Sequence, residues 1–137
     1  MRAVLAARAA ALLLTALSTF ALDFPMSLAI APDGRVVTLS GGAKASIGIV
    51  NSTEVPLPEA WLGLAFSPDG KNVYAGGGSR GVVYELSYAG GELKLIREMK
   101  AGDFAGDVTL SPDGRLIYVA DLFGNAVVVI KIGRAHV

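Results

Sequence analysis

One short motif, written three times, decides most of what this chain can fold into. Ala31-Pro32-Asp33-Gly34, Ser67-Pro68-Asp69-Gly70 and Ser111-Pro112-Asp113-Gly114 follow one another at intervals of 36 and 44 residues. Each is flanked by apolar runs: Leu28-Ala29-Ile30 and Val36-Val37, Leu64-Ala65-Phe66 and Val73-Tyr74, Val108-Thr109-Leu110 and Leu116-Ile117-Tyr118. Proline presets φ for the second position of a turn, and aspartate in the third can bond nearby backbone. Glycine accepts the positive φ that returns the strand through a bulge. The flanks carry β-branched and aromatic residues, which favour strands. Each copy therefore reads as a β-hairpin, with Arg35, Lys71 or Arg115 opening the return strand.

A lone hairpin cannot hide its apolar faces. Repetition at roughly 40 residues is the mark of stacked units that close one another's cores, and four strands per unit of that length describe a propeller blade. The fold class expected is all-β: a partial β-propeller of about three consecutive four-stranded antiparallel blades, the last incomplete, behind an N-terminal signal helix. The blades fall at about 24–57, 61–99 and 105–131. Strands are expected at Met26–Ala31, Arg35–Ser40, Ala45–Val50 and Thr53–Leu57 in the first. In the second they are Trp61–Phe66, Asn72–Gly76, Gly81–Ser87 and Leu93–Met99. The third has a hairpin and Ala126–Lys131. Val127-Val128-Val129-Ile130 is apolar on both faces, as in a sheet packed between sheets.

The ends of the chain differ from its middle. Arg2 and Arg8 precede an Ala/Leu run through Leu17, and Thr19-Phe20-Ala21 offers a small-residue exit. Residues 1–21 thus read as a secretory signal, a buried helix being the alternative, and the run is short for a stable membrane span. Export to the periplasm or beyond the cell is the expected localisation. Asn51-Ser52-Thr53 fits a glycosylation acceptor and equally a polar turn. Residues 132–137, Ile-Gly-Arg-Ala-His-Val, break the pattern and, back-translated, match a common sequencing adapter. They read as a non-native tail, and the chain as a piece of a longer protein. About 110 residues at about 40 per blade make fewer than three blades, where closed propellers have four to eight.

The repeats resemble the S-P-D-G-x-x-x-Y-V-T/A-N pattern of the YVTN family of seven-bladed β-propellers, which includes surface-layer and lactonase-like proteins. The resemblance rests on Ser67 to Ala75 and on Ser111 to Asp121, and Asp121 and Gly76 stand where the family has asparagine. Asp23-Phe24-Pro25-Met26 and Pro58-Glu59-Ala60-Trp61 are similar to the branch that carries a C-terminal phosphoesterase domain of the alkaline-phosphatase type. That likeness implies missing C-terminal blades and a missing catalytic domain. No residue of a phosphoesterase or lactonase site is matched here.

Little chemistry is legible. Cysteine is absent and His136, in the foreign-looking tail, is the only histidine. That leaves no catalytic triad, and neither a catalytic, a cofactor-binding nor a metal-binding residue is assigned. Gly76-Gly77-Gly78-Ser79 lacks the lysine and helix of a phosphate loop and reads as a flexible blade turn. Residues 22–131 hold 9 basic and 12 acidic residues, a net of −3, with no basic patch for nucleic acid. Three residues are candidate loop or funnel contacts: Trp61, at the start of an inner strand, and Asp107 and Asp121, which could face a channel. Inter-blade packing is the competing role for Trp61. Tyr74 and Tyr118, at matching positions, point to packing between blades. The function expected is an exported, non-catalytic binding or scaffold module, its ligand or protein partner held at one face. The competing expectation is the N-terminal part of an enzyme whose catalytic residues lie elsewhere.

Overall fold

The structure, a computed structural model, describes residues 24–50 and 52–132. The expected signal, the acceptor Asn51 and the tail from residue 133 lie outside the described residues. Among these, eleven strands form three antiparallel sheets, each in plain sequence order. The first sheet holds β1 (Pro25–Ile30), β2 (Val36–Ser40), β3 (Ser46–Ile49) and β4 (Glu54–Pro56). The second holds β5 (Leu64–Phe66), β6 (Asn72–Gly76), β7 (Val82–Ala89) and β8 (Glu92–Lys100), and the third β9 (Ala105–Leu110), β10 (Leu116–Asp121) and β11 (Ala126–Lys131). The leading strands sit side by side, β1 on β5 and β5 on β9, and β4 lies against β8. The sheets therefore stack face to face as consecutive blades.

The turns explain the registers. In the second blade Ser67 Oγ accepts the Asn72 N–H at 3.0 Å and donates to Asp69 at 2.6 Å, while Asp69 accepts the Lys71 N–H at 3.0 Å. The third blade repeats this with Ser111, Asp113, Arg115 and Leu116. The first blade has Ala31 in place of serine, so no hydroxyl awaits the N–H five residues on. Its turn closes one residue earlier: Ala31 N–H bonds Arg35 O, where Ser67 N–H bonds Asn72 O. Ile30 accordingly pairs with Val36, whereas Phe66 pairs with Val73. A one-residue slip exchanges the faces of a strand. Thr38 aligns with Tyr74 in sequence, yet Val37 and Leu39 supply the face that meets the next blade.

Two cores result. Val37, Leu39, Ile47 and Ile49 of the first blade pack with Val73, Ala75, Tyr84 and Leu86 of the second. Tyr74 and Val83 of the second pack with Val108, Ile117 and Val119 of the third. Burying each of these valine, leucine and isoleucine side chains contributes roughly 1.5–3 kcal/mol, which no blade could gain alone.

Three expectations need correction. Trp61 does not begin a strand, because Gly63 turns the chain at φ +84° and presses against Gly106 and Val108 of the third blade. The β7 and β8 strands run further than expected, since Gly90-Gly91, both at positive φ, make a two-residue hairpin loop. Among the described residues the β11 strand is packed on one face: Val128 and Ile130 join the second core, and Val127 and Val129 are 67% and 54% exposed.

Candidate binding face

Alternating strand direction gives the stack two ends. The Pro-Asp-Gly turns and the β7–β8 turn lie at one end, and the loops 41–45, 57–63, 77–81, 101–104 and 122–125 at the other. The second end carries the aromatic residues. Trp61 and Phe104 meet edge to face with ring centres 6.0 Å apart, and Phe104 and Phe123 lie 4.7 Å apart. Trp61 is 38% exposed and Phe123 70%. Three rings from three loops at this end thus form one continuous apolar platform.

The backbone beneath it is rigidly held. Leu57 and Ala60 are buried, and the Tyr84 hydroxyl donates to Pro58 O at 2.5 Å. Trp61 N–H bonds Gly76 O at 3.1 Å. Gly78 and Ala105 exchange two backbone hydrogen bonds of 2.9 Å, and a side chain at Gly78 would strike Glu59 O and Trp61. The triple glycine is therefore a close-packed joint between blades rather than a flexible turn. At the rim Ser79 Oγ donates to Glu59 at 2.7 Å, and a cavity of about 220 Å³ opens between Gly42, Glu59, Trp61, Ser79 and Phe104.

The three residues singled out from sequence do not converge. Trp61 belongs to the platform. Asp121, 7% exposed, is held by backbone: its carboxylate accepts the N–H groups of Asp103 at 3.1 Å, and Phe104 and Gly124 at 3.0 Å. Those bonds, Phe104's first, hold its pKa below the ordinary aspartate value. It fixes the two loops that present Phe104 and Phe123. Asp107 is exposed on β9, accepts the Val108 N–H, and borders a hollow with Thr109, Tyr118 and Val127 on the far face of the third blade. Phe104 and Phe123 were missed. Their one sequence signal was an aromatic residue inside a short glycine-containing turn.

A second cluster lies at the opposite end, between the second and third blades. Glu85, buried on β7, is paired with Arg97 and accepts from the Tyr74 hydroxyl at 3.2 Å. Burial, then the Glu85 charge, pushes the Tyr74 pKa up. The cleft here measures about 570 Å³ and is also lined by Asp69 and Asp113. Each cluster sets a hydroxyl on a carboxylate, Ser79 on Glu59 and Tyr74 on Glu85, and no three potential metal ligands converge among the described residues.

No protein-family model matches this chain, and no curated protein matches it. Solved structures do. Hydrazine synthase of Kuenenia stuttgartiensis is similar at 21% identity and a TM-score of 0.62, over 79% of this chain and 45% of that one. A candidate 6-phosphogluconolactonase of Bacteroides uniformis gives 24% and 0.59, over 69% of this chain and 33% of that one. Another, of Bacteroides fragilis, gives 16% and 0.63, over 78% and 34%. The chain spans less than half the length of each. At these identities the likeness is one of fold: the β-propeller, of which the described residues supply three consecutive blades.

Proposed function

We propose that this chain is the propeller module of an exported protein of the YVTN-repeat kind and acts by binding, with its ligand stacked on Trp61, Phe104 and Phe123. The observation that supports this is the platform itself. Aromatic rings in contact, two of them exposed, held by a rigid backbone and rimmed by the Glu59 carboxylate, are characteristic of contact hot spots and not of random surface. A ligand with a flat apolar face and hydroxyl or cationic groups fits: the face stacks on the rings, and Glu59 accepts hydrogen bonds at the edge.

Trp61 is the only tryptophan, so its emission reports on the site directly. A panel of oligosaccharides and peptides titrated against the folded chain should contain members that shift or quench it, and Phe123→Ser should weaken them at least tenfold. Emission unmoved by every member would overturn the reading. Residues 1–21 fused to a reporter active only outside the cytoplasm test export, and a silent reporter rejects it. The competing reading, an enzyme whose catalytic residues lie in other segments, draws on the neighbours described as 6-phosphogluconolactonases. A phosphoesterase domain read downstream in the source gene would favour it.

A further inference from the structure

The hollow at the rim of the platform has walls of one electrostatic sign. Trp61 and Phe104 both line it, with their ring planes at 79°, so they close two of its sides. Aromatic faces carry partial negative charge. Glu59 lines it too and adds a full negative charge, and among the described residues no lysine or arginine does. The cations on the adjoining loops leave Glu59 unneutralised: Arg80 is paired with Glu98 at 3.1 Å, and Lys44 makes no ion pair among the described residues.

The backbone holds Glu59 in an unfavourable conformation. Its φ is +62°, in the left-handed region that glycine and asparagine accept more readily. The bend alone needs no carboxylate. The Tyr84 bond to Pro58 O on one side and buried Ala60 on the other keep the residue there. Strained residues that their surroundings over-determine collect at ligand clamps. Of the two carboxylate oxygens, Oε2 accepts from Ser79 at 2.7 Å, and Oε1 has no partner among the described residues.

We propose that this hollow takes a quaternary or methylated ammonium group, packed against Trp61 and Phe104 with Glu59 as its counter-ion. The inference rests on the binding reading above and narrows it to cationic ligands. At about 220 Å³ the hollow has room for roughly seven water-sized groups, enough for a trimethylammonium head. Methylation suits the rings, because it removes N–H groups that would hold water and spreads the charge over a surface that can lie on an aromatic face. An anionic head such as phosphate would meet a carboxylate and two ring faces, all of its own sign.

The test titrates two probes against the full chain at fixed ionic strength, with Trp61 emission as the readout: choline, and the uncharged alcohol with carbon in place of its nitrogen. Choline should shift or quench the emission saturably, and the alcohol should need about ten times the concentration. Glu59→Gln, checked for an unchanged strand spectrum, should weaken choline about fourfold and leave the alcohol unmoved. Emission unmoved by choline overturns the proposal, as does an alcohol that binds as tightly as choline. A folded Glu59→Gln chain that holds choline as tightly as the wild type also overturns it. The two probes on the unaltered chain decide the matter even where the variant fails to fold. Oligosaccharides or peptides that still move Trp61 after such a failure leave the platform reading standing, whereas emission moved by no probe removes both.

Discussion

Substituting alanine at the three turn glycines separates backbone strain from inter-blade contact. Gly34, Gly70 and Gly114 all lie at positive φ, +87°, +71° and +72°, so alanine at each forces a left-handed residue, a penalty of about 1–2 kcal/mol. At Gly34 nothing more is lost. At Gly70 the new methyl would lie 3.2 Å from Pro32 Cβ and Cδ and closer still to Cγ, and displacing the ring adds roughly 1–3 kcal/mol. Gly114→Ala should fall between them, because the nearest atom, Pro68 Cδ, is 2.9 Å away. Urea unfolding gives the three values. Adding Pro32→Ala to Gly70→Ala should recover roughly 1–2 kcal/mol as a coupling energy, and adding it to Gly34→Ala should recover nothing. Equal losses at Gly34 and Gly70, or no coupling with Pro32, would refute the claim that these turns bind blade to blade.

Acid should loosen the same structure. The pKa values of Asp33, Asp69, Asp113 and Asp121 are all held low, by hydrogen bonds led by Tyr88, Ser67, Ser111 and the Phe104 N–H respectively. Carboxylates lowered on folding stabilise above their unfolded value of about 3.9, and that contribution disappears as the pH falls through the folded values. The urea midpoint should therefore hold from neutrality to about pH 5 and drop steeply below pH 4, less steeply in Asp121→Asn; a midpoint flat to pH 3 would contradict this. At the Glu85–Arg97 pair, Arg97→Met strands a carboxylate whose side chain is 8% exposed, with only Tyr74 and Asn72 to bond it. The expected loss by urea unfolding is about 2–4 kcal/mol, moderated by the half-exposed arginine, whereas Glu85→Gln with Arg97→Met should recover more than half of it. An Arg97→Met chain as stable as the wild type would show that the pair is idle.

The Pro-Asp-Gly repeats determined a great deal by themselves. Turn chemistry is local, so Asp69 and Asp113 announce hairpins wherever they stand, and three spaced hairpins with apolar flanks imply stacked sheets. Strand order and the position of β10 were legible for the same reason. Tertiary structure decided what depends on residues far apart in sequence. Ala31 in place of serine slipped a register and turned Val37, not Thr38, toward the core. Asp121, which reads alone as a channel carboxylate, became a clamp because the N–H groups of Asp103 and Phe104 come back to it from a preceding loop. Phe104 and Phe123 became a platform with Trp61 only when three loops met at one end. A residue's local conformation follows from its neighbours in the chain; which surface it shares follows from contacts that only the packed sheets create.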